Sequence, residues 1–112
     1  MEEYIAGFFD GEGNINKIKV KGKTQYQLRI YQAGDEGLRL LNEIKTFLGY
    51  GWINKRDRRN KHPKWKILYE LHITKKSQVL DFKYRIGKFC RLKKFPEDDE
   101  LQDLRLKEKN TR

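Results

Sequence analysis

Apolar residues in this chain switch repeatedly between a helical and a strand-like spacing, and the switches mark its elements. Ile5, Phe8 and Phe9 recur at i, i+3, i+4, the period of one helical face. Gly7 and Gly11, four apart and beside Ala6, leave another face of that helix almost bare. Asn14 to Lys21 then reads as a strand, although Ile15 and Ile18 break strict alternation, the mark of a bulge. Lys21-Gly22-Lys23 is a turn. Thr24 to Gln32 alternates cleanly, with Tyr26, Leu28 and Ile30 on one face and Gln25, Gln27, Arg29 and Tyr31 on the other. Asp35 stands where it can cap a helix whose apolar positions are Leu38, Leu41, Ile44, Phe47 and Leu48, and Gly49 ends it. A second hairpin, residues 50–58 and 65–73, is joined by a basic loop over 59–64. Thr74 caps a third helix that runs to about Phe89, with Val79, Leu80, Phe82, Ile86 and Phe89 as its buried set. Pro96 opens a last helix with acids at its start and Lys107 and Lys109 near its end, an order that suits the helix dipole.

The predicted order is therefore α-ββ-α-ββ-α-α, with one hairpin repeated. Four antiparallel strands with helices on one side make an α+β fold and leave the second sheet face uncovered. The residues predicted for that face are Gln, Arg, Lys and Tyr rather than apolar ones, so it meets something polar.

Charge says what. The 112 residues carry 26 Lys and Arg against 16 Asp and Glu, a net charge of +10. Eighteen of the basic residues fall within 17–33, 54–66 and 83–95, stretches that contain one acid, Asp57. Clustering of this kind favours a nucleic-acid partner. An anionic membrane surface is disfavoured, because no segment has the large apolar face such binding needs. At this length the chain is expected to form one domain over residues 1–112. Cys90 is the only cysteine, which excludes a disulfide within the chain and a thiolate zinc site, and it reads as a buried, unreactive thiol. No apolar run is long enough to span a bilayer, and the first residues do not form a signal peptide. An intracellular location is expected, in the cytoplasm or nucleoid or in an organelle.

The first helix delivers Asp10 and Glu12 to its own C-terminus, where carboxylates are disfavoured by a few tenths to about 1 kcal/mol. A divalent cation would reverse the sign of that effect. Taken alone, Asp-Gly-Glu-Gly is an ordinary turn with its acids in solvent. The whole segment Ile5-Ala6-Gly7-Phe8-Phe9-Asp10-Gly11-Glu12-Gly13 says more. It resembles, in order and residue class at every position, the LAGLIDADG signature of homing endonucleases, with Glu12 replacing the usual Asp. The predicted element order is also that of the αββαββα LAGLIDADG fold, a four-stranded antiparallel saddle with helices on one face. The resemblance thus covers nearly the whole chain.

Several expectations follow from the resemblance. The function implied is site-specific double-strand DNA cleavage, of the intron-encoded homing type. Phosphodiester hydrolysis needs an activated water, neutralisation of phosphate charge and help for the leaving oxygen, all of which carboxylate-held Mg2+ can supply, with Mn2+ or another divalent ion able to substitute. In the family the last acid of the motif ligates the metal, which is Glu12 here, and the preceding glycine, Gly11, contributes its carbonyl. A glutamine at the end of the second strand, Gln32, belongs to the metal-bound water shell. A lysine after the third long helix polarises that shell; Lys93 fits best and Lys94 is the near alternative. Asp10 supports the helix junction. Some members carry a further basic residue at the start of the second helix, where this chain has Asp35-Glu36-Gly37 and Arg39 is the nearest base. His62 and His72 have no visible carboxylate partner and are not expected to be catalytic.

One motif makes half of a site, so a homodimer is expected, with Ala6, Gly7 and Asp10 at an isologous contact. The partner is then double-stranded DNA with a long, pseudo-palindromic site. Candidate DNA contacts are Lys17, Lys19, Lys21, Gln25, Gln27, Arg29 and Tyr31 in the first hairpin. The basic loop adds Lys55, Arg56, Arg58, Arg59, Lys61, Lys64 and Lys66, read as a reaching arm. Arg and Gln suit base edges, whereas lysines hold phosphates. The competing reading is a non-catalytic nucleic-acid binder of the same fold, an intron RNA maturase or a DNA-binding regulator.

Overall fold

The computed structural model describes residues 1–93 and Phe95. Helix α1 spans Glu2–Glu12 and runs straight into strand β1, Gly13–Val20. The helix-to-strand transition turns directly over the Phe9 ring: a Cβ on residue 13 would lie 2.0 Å from Phe9 Cδ2, so only glycine fits there. Strand β2, Lys23–Ala33, pairs with β1 in an unbroken antiparallel register from Gly13–Ile30 to Val20–Lys23. Lys21 and Gly22 form the two-residue connection, with φ of 52° and 78°. Two positive φ angles match the right-handed twist of a hairpin. The expected bulge is therefore absent. Ile15 pairs with Leu28 and faces the core, whereas Ile18 pairs with Gln25 and faces the other way. The irregular spacing reflects one apolar residue on each face.

Helix α2 covers Gly34–Leu48, strand β3 Trp52–Arg56, strand β4 Leu68–Ile73 and helix α3 Lys76–Arg85, followed by a short 3-10 turn at Gly87–Phe89. The four strands lie in the order β1-β2-β4-β3, all antiparallel. Alternate residues of the strands, Tyr26, Leu28, Ile30, Tyr69, Leu71 and Ile73, are buried in one cluster with Ile5 and Phe9 of α1, Leu41 and Ile44 of α2, and Val79 and Phe82 of α3. The helices thus cover one face, as the alternation predicts.

Several boundaries differ from the sequence expectation. Ala33, not Asp35, occupies the N-cap of α2; Asp35 and Glu36 sit in its first turn, where they complement the dipole. Lys75, not Thr74, precedes α3, again with no side-chain cap. Ile86 breaks from α3 before the 3-10 turn, and Phe89 is exposed rather than core. Tyr50 lies before β3, where its hydroxyl donates to Asp81 at 2.6 Å. The expected helix after Pro96 lies outside the described residues. Among the described residues, no helix is long and apolar enough to cross a membrane.

Leu71 is fully buried on β4, an inner strand of the sheet. Leu71→Ala should lower the unfolding free energy by about 2–5 kcal/mol in a urea titration. A loss below about 1 kcal/mol would mean that the site collapses around the smaller side chain.

Candidate active site and nucleic-acid interface

Ile5, Ala6 and Phe9 bury one face of α1, so the helix turns its remaining faces outward. Gly7 and Gly11 are exposed, and a Cβ on either would meet nothing within 4 Å. Tyr4 stands beside them with 54% exposure, its ring centroid 6.0 Å from that of Phe8. This is the bare face that the glycine spacing predicts. Ala6 does not belong to it. Ala6 is 0% exposed, and its carbonyl faces the Cys90 thiol at 3.9 Å, so its expected place at a dimer contact is corrected: burial within the protomer removes it from any such surface.

Asp10 and Glu12 have different surroundings. Asp10 accepts backbone N–H bonds from Arg91, Leu92 and Lys93 at 2.7, 3.1 and 2.9 Å. Those bonds, with Lys93's charge behind them, hold its carboxyl below the usual Asp range. Asp10 is thus a clamp between the end of α1 and the segment after the 3-10 turn. It supports the junction from within the protomer, and its two oxygens are occupied there rather than offered to a second chain. Glu12, one turn-end further on, is exposed and makes no hydrogen bond or ion pair with any described residue. It lies at the negative end of the α1 dipole, next to carbonyls that have no intrahelical partner.

The Asp10 clamp brings Lys93 to the same end of α1 as Glu12. Lys94 lies outside the described residues. Gln32 follows two residues after Ile30, which pairs with Gly13, and shares the helix-side face of the sheet. Its Cβ lies 2.7 Å from where a Cβ on Gly37 would sit. Gln32 and Phe8 also line a cleft of about 810 Å³ with Asp35, Glu36, Arg59 and Lys66. Arg59 and Lys66 therefore reach from the basic loop to the start of α2, where the sequence itself has no base; Arg39 does not line this cleft. Cys90 is partly buried behind the clamp, and burial, together with Asp10, pushes its thiol up to about 11.

The uncovered sheet face is set by the register. Gln27 pairs with Asn16, Arg29 with Asn14 and His72, and Tyr31 with Glu70; Glu70 in turn pairs with Asn54, and His72 with Trp52. Gln25, Gln27, Arg29 and Tyr31 thus share the outer face, as expected. Lys17 and Lys19 do not share it: they pair with Tyr26 and Thr24 and carry the parity of the helix side, although both are exposed. Asn14 and Asn16 take the outer positions instead. Lys21 is exposed at the hairpin tip. Lys55 pairs with Tyr69 and also points to the helix side, whereas Arg56 is on the outer face.

The basic loop is only partly a free arm. Trp65 stacks on His62 at 3.7 Å between centroids, and the Arg58 guanidinium lies 4.7 Å from the Trp65 ring. Arg59 binds Asp57 through two nitrogens, at 2.9 and 2.6 Å, and holds that carboxyl well below the usual range. Lys61 and Lys64 are exposed and have no partner among the described residues. His72 does lie near a carboxylate that the sequence expectation did not see, although its Nε2 makes no hydrogen bond among the described residues. Glu70 Oε1 lies 3.7 Å from His72 Nε2, and the ring stacks on Trp52 at 4.2 Å. Both residues sit on the outer face of β4, and their spacing of two in Tyr69-Glu70-Leu71-His72-Ile73 was the available signal. Burial is the main cause that lowers the His72 pKa, so the ring is neutral near pH 7.

A sequence profile described as LAGLIDADG endonuclease matches residues 5–67, more than half of the chain. The chain belongs to the LAGLIDADG endonuclease family. Its fold is similar to that of the LAGLIDADG homing endonuclease I-GzeII in complex with its DNA target, at 21% identity over 83% of this chain and 30% of that one, with a TM-score of 0.64. The meganuclease I-AabMI bound to uncleaved DNA is similar at 20% identity, over 80% of this chain and 29% of that one, TM-score 0.62. I-SmaMI bound to uncleaved DNA in the presence of calcium ions matches at 21% identity, 77% and 30%, TM-score 0.58. At these identities the likeness concerns the LAGLIDADG fold, and this chain spans less than a third of each neighbour's length. No curated protein matches the chain by sequence.

The Asp10 clamp has a direct readout. Asp10→Ala should speed amide hydrogen exchange at Arg91, Leu92 and Lys93, while Glu12→Ala should leave those amides protected. Because the folded-state carboxyl lies below its ordinary 3.8, the clamp's contribution is complete above that value and is lost as pH falls through the lowered one. Unchanged exchange in Asp10→Ala would remove the clamp.

Proposed function

We propose that this domain is one half of a site-specific double-strand DNA endonuclease, completed by a second copy across the bare face of α1. One observation carries the reading: Glu12 is exposed at the negative end of α1, beside Gly11, with no partner among the described residues, whereas the exposed acid of the basic loop, Asp57, is neutralised by Arg59. An acid beside a phosphate backbone repels it unless a cation lies between them. The donors fit a hard divalent ion. Glu12 offers a carboxylate and Gly11 a last-turn carbonyl, both oxygen ligands, and Mg2+ takes few protein oxygens beside substrate phosphate and water. When bound, such an ion polarises the scissile phosphate and lowers the pKa of water.

The chain's own groups supply the rest. Lys93, tethered to the end of α1 through Asp10, adds positive charge where the phosphate would sit. Gln32 can hydrogen-bond and orient the attacking water. Gly7 and Gly11 let a twin helix approach closely, which would bring two Glu12 side chains together. Their mutual repulsion is a second reason to expect bound cations. Gln25, Gln27, Arg29 and Tyr31, with Asn14 and Asn16, face the bases in this reading. Lys17, Lys19, Lys21, Lys55, Lys61 and Lys64 suit the phosphate backbone, where sequence is not read. Two identical halves imply a long, partly palindromic target of about two helical turns.

Glu12→Gln should abolish cleavage of duplex DNA in Mg2+ while leaving binding nearly intact. Appreciable cleavage by the variant would remove Glu12 from the metal site; a wild-type protein that binds duplex tightly but never cuts would establish the non-catalytic alternative. Gly7→Leu should separate the twin helices, so that sedimentation reports a monomer without activity. A dimer that survives Gly7→Leu places the contact elsewhere. Affinity should fall by about a thousandfold or more between 50 and 200 mM salt, as several phosphate contacts per subunit require.

A further inference from the structure

Within a face that carries basic and amide side chains, β4 places one buried acid. Glu70 is 0% exposed, and its carboxylate lies under side chains from the edge strand β3. Asn54 Nδ2 donates to Oε1 at 3.0 Å, and Arg56 Nε approaches the same oxygen at 3.0 Å. Oε2 has no partner among the described residues. A buried carboxylate is costly to desolvate and would repel a polyanion if exposed. Its position therefore calls for an account beyond affinity.

The account lies in what Glu70 does to Arg56. The closest contact of this ion pair is at Nε, the guanidinium makes no hydrogen bond to any described residue, and the Arg56 side chain stays 56% exposed. Other arginines nearby are differently committed. Arg29 gives an Nη2 bond to Gln27 at 2.6 Å, and Arg59 is bound twice by Asp57. Arg56 combines an Nε held against Glu70 by charge, an Nη pair with no hydrogen bond among the described residues, and a place on the outer face. A planar fork fixed in this way matches the O6 and N7 acceptors of guanine in the major groove. His72 does not compete for the carboxylate near neutral pH. It is stacked under Trp52, its partner across β3, and faces Arg29 across β2; burial above all, with the charges of Arg29 and Arg56, disfavours its protonated form.

We propose that Glu70 is a positioning residue for sequence choice, locking Arg56 so that it reads one guanine in each half-site. The inference rests on the DNA-binding reading above, but not on cleavage or on metal.

The test selects bound duplexes from a randomised library without divalent metal, using the full chain and its Glu70→Gln, Arg56→Ala and Arg56→Lys variants. The wild-type protein should enrich guanine about tenfold or more at one position of each half-site, the range of a bidentate arginine–guanine pair. Glu70→Gln should flatten that position while leaving the other preferences in place. Arg56→Ala should flatten the same position, and the double variant should be no worse there than Arg56→Ala. Because Glu70 is buried, the surface variant Arg56→Lys provides an arm that does not depend on tolerance at Glu70. It keeps the charge and the salt dependence and should lose the guanine preference. Guanine preference that persists in Arg56→Lys or in a folded Glu70→Gln overturns the proposal, as does an equal loss at all positions in Glu70→Gln. Recovery of no preferred duplex by the wild-type protein overturns the DNA reading and this inference together. Specific recovery indifferent to Glu70 overturns this inference alone.

Discussion

Burying Ile5, Ala6 and Phe9 fixes the rotation of α1 about its axis, and the outward direction of its other residues follows from that rotation. At 100° per residue, a helix with these three positions inside must turn Gly7 and Gly11 outside. The same seating places Glu12 at the edge of the sheet, because Gly13 enters β1 directly over the Phe9 ring. Phe9 is itself held by edge contact with Phe82 of α3 at 5.2 Å and by stacking with Phe95 at 5.6 Å. The position of the proposed reactive acid is thus a by-product of core packing rather than of any interaction the acid makes.

Several other acids close to the basic surfaces are occupied. Asp10 takes three backbone N–H groups, Asp57 takes Arg59, and Glu70 takes Arg56 and Asn54. Asp81 likewise serves Tyr50 and Arg85. A chain with a net charge of +10 has many cations available, and at Asp57, Glu70 and Asp81 it uses them to neutralise carboxylates that would oppose a polyanion. Glu12 is the exception at the end of α1, which is why it stands out chemically more in the structure than in the sequence.

The hydrophobic periodicity of α2, β2 and β4 was readable because each buries one face against a common core, and burial imposes a period. The element order and the bare face of α1 followed from the same logic. β1 was misread where burial imposes little. Its outer half projects past the helices, so Lys17 and Lys19 are exposed on the helix-side parity, and composition alone cannot assign their face. Pairing with β2 does, and it exchanges them for Asn14 and Asn16. Ala6 was misplaced for a related reason: a small residue suits a tight contact inside a protomer as well as one between protomers. The helix caps failed because backbone turns at Ala33 and Lys75 begin α2 and α3 without side-chain help. The Glu70–Arg56 pair joins β4 to a residue across a long loop, a relation no local pattern reports.

The bonds from Asp10 to residues 91–93 join positions 81 to 83 apart along the chain. The cost of closing a loop grows only slowly with its length, and structure between its ends lowers the cost further by shortening the path. The intervening structure here is nearly the whole fold: both hairpins, α2 and α3 lie between the two ends of the clamp. The closeness of Lys93 to Glu12's end of α1 is therefore a property of the folded domain and not of any local segment. The tether that assembles the reactive end of the molecule spans the described chain almost from end to end, so loosening the segment after the 3-10 turn would part Lys93 from the end of α1 and leave the basic sheet paired.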